Sequence, residues 1–353
     1  MVGAGVLAGV FLLTGRVTPR AAWRAIDVDL LLVLFALLTA VEILRESGWL
    51  DFAVARTVAR FDHTRPFAVM MLGMTGVLAA LVTNDVTLFI VIPFTVAASR
   101  MSPFDVEDAI VLEVVAANLL GCLTPLGNPQ NLFVYHRSAW SAGRFVATML
   151  PFVGISAVGL LLAVFFIGRS QPLDQREIEL PPRDNRAAVA GVVTFALVLL
   201  EIARVLDARP AAIAALVAGL FVLRQRFFDV DLSIVPLFFF AFIIVEGLRT
   251  LPLDLIARSQ TYVTSIALSQ VVSNVPATVL LTPFARGDWR ALLYGVNAGG
   301  CGTIIASLAN LLGWRIYARE SGRDPRFFWR LTAINFGFLA WIGLGGWALL
   351  RWS

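Results

Sequence analysis

Long apolar runs separated by short polar stretches recur along the whole chain. Several of them are bounded by Arg or Trp, residues that favour the membrane–water interface. Because a helix needs about 20 apolar residues to cross the hydrocarbon core, the pattern predicts an all-α polytopic membrane protein with about 9 to 11 membrane segments. Trp49–Phe61 is amphipathic and predicts a helix on the membrane surface. The clearest membrane helices are predicted at Leu30–Leu44, Val106–Leu123, Phe145–Ile167, Ala187–Leu206, Ala211–Leu223, Leu232–Leu248, Leu292–Ile305 and Phe328–Leu350.

Two other apolar stretches, 66–99 and 259–287, carry polar residues at their centres. The first is interrupted by Thr83, Asn84 and Asp85, and the second by Ser273 and Asn274 with Gln270 one turn earlier. A polar group in hydrocarbon costs several kcal/mol unless it is satisfied, so it must face protein or a water-filled cavity. Each stretch therefore predicts a re-entrant helical hairpin with its Asn at the tip. The alternative is two short helices joined by a buried turn.

The two halves of the chain resemble each other in three segments that occur in the same order. The helix DVDLLLVLFALLTAVE matches DLSIVPLFFFAFIIVE, NDVTLFIVIPF matches NVPATVLLTPF, and NLLGCLTPLGNPQNL matches NAGGCGTIIASLANL. The number of crossings between them makes the repeat inverted, which is a recurring plan of secondary transporters. The predicted domains are an N-terminal transmembrane helix and loop (1–26), a first repeat (27–167), a polar cytoplasmic linker (168–186), connecting helices (187–226) and a second repeat (227–353).

Each repeat also contains a predicted discontinuous helix, at 106–137 and at 291–318. The stretch from Thr124 to Asn131 cannot continue a helix, because Pro125 and Pro129 lack backbone donors and Gly127 permits unusual backbone angles. Its counterpart from Gly299 to Asn310 has three glycines and no proline. Free carbonyls at such breaks suit Na⁺ or a proton-linked site, and helix N-termini suit an anion. A proline kink between packed helices is the alternative interpretation.

Asp85 is the most informative single residue, because a carboxylate within a membrane is costly and is by default a candidate proton or cation site. The repeat places Val275 opposite it. The alternative is a helix cap that satisfies free N–H groups after the hairpin turn. Glu113, one turn before Asn118, is a weaker candidate of the same kind. The predicted substrate- and ion-binding residues are Thr83, Asn84, Asp85, Asn118, Thr124, Gly127, Asn128, Asn131, Ser273, Asn274, Thr278, Asn297, Thr303, Ser307 and Asn310.

Composition agrees with this picture, since 59% of the 353 residues are apolar and only 15% are charged. All 28 basic residues are Arg and lie between apolar runs, which is typical of membrane anchors and not of a nucleic-acid interface. More than half of them fall on the side of the N-terminus and the linker, which predicts that this side is cytoplasmic in the inner (plasma) membrane. Cys122 and Cys301 form no metal motif, and no catalytic motif is present, so neither an enzyme, a structural metal nor a cofactor is predicted.

The segments TNDVTLFIVIPF, LTPLGNPQNLF, SNVPATVLL and GVNAGGCGTIIASLANLLGWRIY resemble the ion transporter superfamily. That superfamily includes arsenite permeases, NhaD-type sodium/proton antiporters, citrate transporters and divalent-anion:sodium symporters, and the chain looks most like its citrate-transporter-like anion permeases. The resemblance implies hairpins and unwound helices around one substrate, elevator-type motion and a homodimer. It also implies Na⁺ near Asn84, Gly127, Asn274 and Thr303. The dicarboxylate members have Ser-Asn-Thr tips, which this chain keeps only in part.

The sequence therefore predicts a secondary transporter of a small anion, an inorganic oxyanion or an organic carboxylate, coupled to Na⁺ or H⁺. Its expected partners are that anion and membrane lipid. An arsenite or metalloid efflux permease and a Na⁺/H⁺ antiporter stay open, because Asp85 admits proton coupling and arsenite permeases share an Asn-Asp in the first tip. A channel is disfavoured by two dead-end hairpin tips. The repeat also predicts that Asn84 and Asn274 are functionally comparable.

Overall fold

The computed structural model describes every residue except 1, 59, 82, 102–104, 167–169, 174–181, 203, 204, 231, 233, 249–260, 283, 284, 286, 322, 323 and 353. The regular structure of the described residues is helical, apart from one isolated β-bridge between His63 and Pro172. Four stretches of them are long and apolar enough to cross a membrane: Thr64–Leu81, Ala142–Phe166, Ala208–Phe228 and Pro325–Arg351. The all-α polytopic fold class is confirmed, while the number of membrane segments stays a prediction.

The helices of the described residues follow the predicted apolar runs closely. In chain order they are α1 (Val2–Leu13), α2 (Pro19–Ala25), α3 (Val28–Glu46), α4 (Trp49–Val58), α5 (Thr64–Leu81), α6 (Asn84–Met101), α7 (Val106–Leu120), α8 (Pro129–Ser138), α9 (Ala142–Phe166), α10 (Asn185–Ile202), α11 (Ala208–Ala218), α12 (Ile234–Leu248), α13 (Thr261–Val272), α14 (Asn274–Leu281), α15 (Trp289–Ala298), α16 (Leu308–Ser321) and α17 (Pro325–Arg351).

Three predicted helices are α-helical over only part of their apolar runs. The first, at 106–123, is α-helical only to Leu120 and finishes in a 3₁₀ turn. The second, at 211–223, becomes a π-helical turn at Gly219, where the Phe227 ring fills the space that a side chain would need. The third, at 292–305, stops at Ala298 because consecutive glycines follow it. Most of the predicted linker 168–186, together with Asp231, Pro283 and Phe284 of the aligned repeats, lies outside the described residues.

The chain folds as two compact units that each combine segments from both halves of the sequence. Unit 1 contains Met1–Ala53 and Glu179–Pro252, and unit 2 contains Val54–Ile178 and Leu253–Ser353. In unit 1, α10 and α11 pack on α3, and α12 packs on α1. The contact between α10 and α3 is close, because a methyl group at Gly191 would lie 2.7 Å from Leu44 Cγ. The units are therefore interleaved along the chain, unlike the sequential repeats.

Unit 2 is built around α7 and α15, which are buried along most of their length. All residues of α7 from Ile110 to Leu119 are buried, as are those of α15 from Ala291 to Ala298. Apart from the buried polar residues Glu113, Asn118 and Asn297, these stretches are apolar on all sides, which is typical of a helix enclosed by others. The hairpin helices α5 and α13 pack on α7 and α15, respectively, while α16 packs on α6 and α8 packs on α14. The repeats thus exchange their second half-helices, which brings both helix breaks and both hairpin tips to the centre of unit 2.

Candidate functional site

The two hairpin tips are attached to the two unwound segments by backbone hydrogen bonds. We call Thr83–Asp85 the first tip and Ser273–Val275 the second tip. The Asn84 N–H donates to the Gly127 carbonyl at 2.7 Å, and the Asn274 N–H donates to the Ala306 carbonyl at 2.8 Å. The sequence alignment pairs Gly127 with Ala306 as it pairs the two asparagines. The structure therefore places corresponding residues of the repeats in corresponding contacts.

Both helix breaks are braced by an asparagine one turn into the following half-helix. Asn131 Nδ2 donates to the carbonyls of Cys122 (3.1 Å) and Thr124 (3.4 Å). Asn310 Nδ2 donates likewise to the carbonyls of Gly300 (3.0 Å) and Thr303 (3.1 Å). Carbonyls at a helix end have no intrahelical partner, so these amides satisfy groups that burial would otherwise leave unpaired. Pro129 begins α8, so the unwound segment is 124–128 and does not extend to Asn131.

Glycine is required at position 127 by the close approach of two other segments. A side chain there would overlap the Gly121 carbonyl oxygen and lie 2.7 Å from the Ala79 oxygen. Real Cβ atoms do not approach backbone oxygens this closely. In the second segment Gly302 has a φ of +110°, a conformation that other residues rarely adopt. Ser273 at the second tip has a φ of +74° without being glycine, and strained residues of this kind cluster at functional sites.

Two sets of side-chain hydrogen bonds join the two repeats at the centre of unit 2, and Asn128 Nδ2 links the sets by donating to the Asn118 carbonyl at 3.2 Å. Asn118 of α7 belongs to the first set. Its Nδ2 donates to Asn310 Oδ1 at 2.9 Å, and its Oδ1 accepts from Ser307 Oγ at 2.8 Å and from Asn84 Nδ2 at 3.1 Å. We call the network the amide clasp, and its members are Asn118, Asn128, Asn131, Asn297, Ser307 and Asn310.

The other side of the amide clasp is the same arrangement with the repeats exchanged. Asn297 of α15 donates from Nδ2 to Asn131 Oδ1 at 2.7 Å, and its Oδ1 accepts from Asn128 Nδ2 at 3.1 Å. The alignment pairs Asn297 with Asn118, Asn131 with Asn310 and Asn128 with Ser307. All six side chains are buried. Because most of their donors and acceptors are used within the clasp, these residues hold the two repeats together.

The threonines predicted for the site attach each unwound segment to its hairpin. Thr124 Oγ1 donates to the Ala80 carbonyl, and Thr303 Oγ1 donates to the Gln270 carbonyl at 3.0 Å. These two contacts are again equivalent in the repeat alignment. Thr278 differs, because its hydroxyl donates to the Asn274 carbonyl of its own helix at 2.7 Å. Like Thr83 and Asp85, Thr278 forms no hydrogen bond with another segment among the described contacts.

Asp85 lies next to the amide clasp without belonging to it. It is 6% exposed, and its Oδ1 is buried with no hydrogen-bond partner in the described part of the chain. The first turn of α6 is capped by its neighbours, since Asn84 Oδ1 accepts from the Asp85 N–H at 2.9 Å and Thr83 Oγ1 accepts from the Val86 N–H at 3.4 Å. The contacts therefore do not support the cap interpretation of the Asp85 carboxylate. An unpaired buried carboxylate oxygen can accept a proton or coordinate a cation.

The unused polar groups at the two tips differ in kind. Near the first tip Asn128 Oδ1, like Asp85 Oδ1, is buried without a donor among the described residues. At the second tip the Asn274 side chain is buried and forms no hydrogen bond with the described residues, although its amide nitrogen packs against Gly300. Acceptor oxygens suit a proton or a cation, while an amide N–H suits an anion. Within the described residues no group of three His, Cys, Asp or Glu could hold a metal ion.

Two glutamines belong to the site although neither is among the binding residues predicted from the sequence. Gln130 Nε2 donates to Asn297 Oδ1 at 3.1 Å. Gln270 Nε2 donates to the Gly299 and Cys301 carbonyls, both at 2.9 Å, and its Oε1 accepts from the Thr303 N–H at 2.9 Å. The available signal was an uncharged polar side chain within an apolar stretch, which in a membrane protein points to the bundle interior.

The family model described as citrate transporter matches residues 1–288. Among curated proteins, the inner membrane protein YbiR of Escherichia coli is 32% identical over 345 residues, which are 94% of this chain and 90% of that protein. An uncharacterized transporter of Methanocaldococcus jannaschii is 31% identical and covers 87% of this chain and 86% of its own length. The magnetosome protein MamN of Magnetospirillum gryphiswaldense is 24% identical over 92% of this chain and 84% of its own length.

Proposed function

Because this chain belongs to the citrate transporter family, we propose that it is a secondary active transporter of a small anion, coupled to Na⁺ or H⁺. The family and the relatives make it a multi-pass transporter of the inner membrane and not an enzyme. We propose further that the anion is an inorganic oxyanion or an organic carboxylate such as citrate. The N-terminus is proposed to be cytoplasmic and the protein to be a homodimer.

One observation supports the proposal most strongly. Two hairpin tips and two unwound segments meet in unit 2, beside the buried and unpaired carboxylate of Asp85. A carrier needs a small site that can hold its cargo and its coupling ion together. A buried charge without a partner is costly, so a role in binding an ion explains why it is kept.

In this proposal the two tips bind different ligands, because the polar side-chain atoms without hydrogen-bond partners differ between them. Asp85 Oδ1 and Asn128 Oδ1 offer acceptors beside the first tip, so the coupling ion binds there as Na⁺ or as a proton on the carboxylate. The Asn274 amide offers donors at the second tip, where α14 begins with Asn274. The anion binds there, because an amide N–H and a helix N-terminus both favour negative charge.

An elevator-type mechanism is part of the same proposal. Both tips, both unwound segments and the amide clasp are contained in unit 2. A displacement of unit 2 as a rigid body would therefore carry the complete site without breaking the hydrogen bonds that define it. Alternating access then follows, because the intact site is exposed to one side of the membrane and then to the other.

A metalloid efflux permease or a Na⁺/H⁺ antiporter is the second candidate function, and Asp85 is the observation that favours it. In these alternatives the carboxylate carries the transported ion or proton itself, and no organic anion is bound at the second tip. The two candidates therefore differ in their ligands and share their dependence on Asp85.

A thermal-shift screen of the purified protein in detergent tests the proposal. A ligand that binds the native state at 100 times its Kd stabilises it by about 2.7 kcal/mol, so its melting temperature rises. We expect a rise with citrate, another carboxylate, sulfate or phosphate that is larger when Na⁺ is present or the pH is lower. A rise with arsenite, or a rise with Na⁺ and with none of these anions, would support the second candidate.

Two alanine variants serve as controls for the screen. Asn274→Ala should lose the rise caused by the anion, while Asn335→Ala should keep it, because Asn335 is a buried asparagine of α17 that donates to the Leu331 carbonyl of its own helix at 2.9 Å. Equal rises in the wild type and Asn274→Ala would contradict the assignment of the anion to the second tip.

A further inference from the structure

A second buried carboxyl group lies between α6 and α7, away from the tips. Glu113 is 1% exposed, and its Oε1 accepts a hydrogen bond from the Thr95 hydroxyl of α6. Its Oε2 is buried and has no hydrogen-bond partner in the described part of the chain. Glu113 precedes Asn118 by five residues, so it lies about 7.5 Å from the amide clasp along the axis of α7. It is close to the site without being part of it.

The Thr95 hydroxyl is used differently from those of three other buried helical threonines in unit 2. Thr75, Thr87 and Thr278 each donate to the carbonyl four residues earlier in the chain. This local bond is the usual choice of a threonine within a helix. Thr95 instead donates to Glu113. The pair is therefore a specific contact between two helices.

The second repeat shows that the fold does not require a polar pair at this position. The alignment that pairs Asn84 with Asn274 pairs Thr95 with Ala285, and the alignment that pairs Asn118 with Asn297 pairs Glu113 with Leu292. Ala285 and Leu292 are both buried and belong to the same hydrophobic cluster. An apolar pair thus fills the equivalent space. A carboxyl group at this depth costs stability compared with leucine, so packing alone does not account for it.

No described residue forms an ion pair with Glu113 either. Thr95 is its only polar contact with the described residues. The helices that pack on α7 are α5, α6, α9, α15, α16 and α17. Arg330 of α17 pairs with Asp108, and also reaches Asp105 and Glu107, at the beginning of α7. Where the structure describes the side chain, the other charged groups of these helices are Arg65, Asp85, Arg100, Arg144, Arg290, Arg315, Arg319, Arg326 and Arg351, and none contacts Glu113.

We propose that Glu113 and Thr95 form a proton-binding site that is separate from Asp85 and supplies a second coupling proton. The proton binds to Oε2, and Oε1 accepts the hydrogen bond from Thr95. A neutral carboxylic acid avoids the desolvation cost of a carboxylate in this apolar surrounding, as an unpaired buried carboxyl group requires. The two proposed ion-binding carboxyl groups, Asp85 and Glu113, then both belong to the first repeat. The aligned residues of the second repeat are Val275 and Leu292. Coupling to transport rests on the proposed function, whereas proton binding does not.

Infrared spectroscopy of the purified protein in lipid nanodiscs tests proton binding directly, because a carboxylic acid has a C=O stretch that a carboxylate lacks. At neutral pH we expect this band in the wild type and in Asp85→Asn, and its loss in Glu113→Gln, which keeps an acceptor for Thr95. Thr95→Val should shift the band. ¹³C-glutamate labelling of the wild type should shift it as well, which gives the result without any substitution.

The double variant Thr95→Ala/Glu113→Leu is the matched structural control, because it copies the pair Ala285 and Leu292 of the second repeat. It should fold with a melting temperature at least equal to that of the wild type and lack the band. In proteoliposomes Glu113→Gln should lower pH-gradient-driven anion uptake at least tenfold. A band unaltered by Glu113→Gln and by labelling would overturn proton binding, and unchanged pH-driven uptake in a variant that lacks the band would overturn coupling. If no anion is taken up by any protein, the proposed function fails while the spectra still decide whether Glu113 binds a proton.

Discussion

Replacing Asn118 by Ala removes the side chain that connects the first tip to the second repeat. Asn118 is 3% exposed, and its side chain forms three hydrogen bonds, with Asn310 at 2.9 Å, Ser307 at 2.8 Å and Asn84 at 3.1 Å. A hydrogen bond contributes about 0.5–1.5 kcal/mol net, and a buried partner left unsatisfied costs about 1–3 kcal/mol. We therefore expect Asn118→Ala to lower the free energy of unfolding by roughly 2–5 kcal/mol.

The melting temperature of the purified variant, measured in one detergent at one scan rate, is the appropriate assay, because membrane proteins often unfold irreversibly. Asn335→Ala is the matched control, since Asn335 is equally buried but donates only within its own helix, to Leu331 at 2.9 Å. Its loss should be about 1 kcal/mol. If Asn118→Ala melts no lower than Asn335→Ala, the amide clasp does not hold the repeats together and the reasoning is wrong.

Four other substitutions, one of them with a matched control, test the separate roles of the site. Asp85→Asn should reduce ion-coupled uptake at least tenfold while the melting temperature stays equal or rises, because it removes a buried unpaired charge; unchanged uptake would exclude Asp85 from the mechanism. Asn84→Ala should lower the melting temperature, since its side chain is hydrogen-bonded, whereas Asn274→Ala should leave it unchanged and abolish anion binding; identical effects would contradict this division. Gly127→Ala should lower the free energy of unfolding by about 1–3 kcal/mol or more, because the added side chain overlaps backbone oxygens. Gly154→Ala is its control, since nothing lies within 4 Å of the added carbon, and its melting temperature should equal or slightly exceed that of the wild type.

The fold class and most residues of the amide clasp are predictable from the sequence, because polar side chains are conspicuous in apolar helices. Asn118, Asn131, Asn297 and Asn310 were found by aligning the repeats, and the structure joins them in pairs that follow this alignment. The helix breaks were predictable from proline and glycine. Their boundaries were not, because Pro129 can begin a helix as easily as end one.

The pairing of the amides could not be predicted from the sequence. An asparagine can donate and accept in several directions, so only the packing of the helices decides that Asn118 meets Asn310 and not its own unwound segment. For the same reason the sequence predicts that Asn84 and Asn274 are comparable. In the structure the Asn84 side chain is hydrogen-bonded, whereas that of Asn274 has no hydrogen bond with the described residues. The interleaved units also arise from packing between segments distant in the chain.

Uptake by proteoliposomes tests the central claim of ion-coupled carriage most directly. The vesicles contain the wild type or Asp85→Asn, and the solute is the radiolabelled anion that raises the melting temperature most. We predict that an inward Na⁺ or H⁺ gradient drives accumulation above the external concentration, that the matching ionophore abolishes it, and that Asp85→Asn does not accumulate the anion. Uptake that only equilibrates the anion and is insensitive to both gradients would contradict the account and indicate a channel.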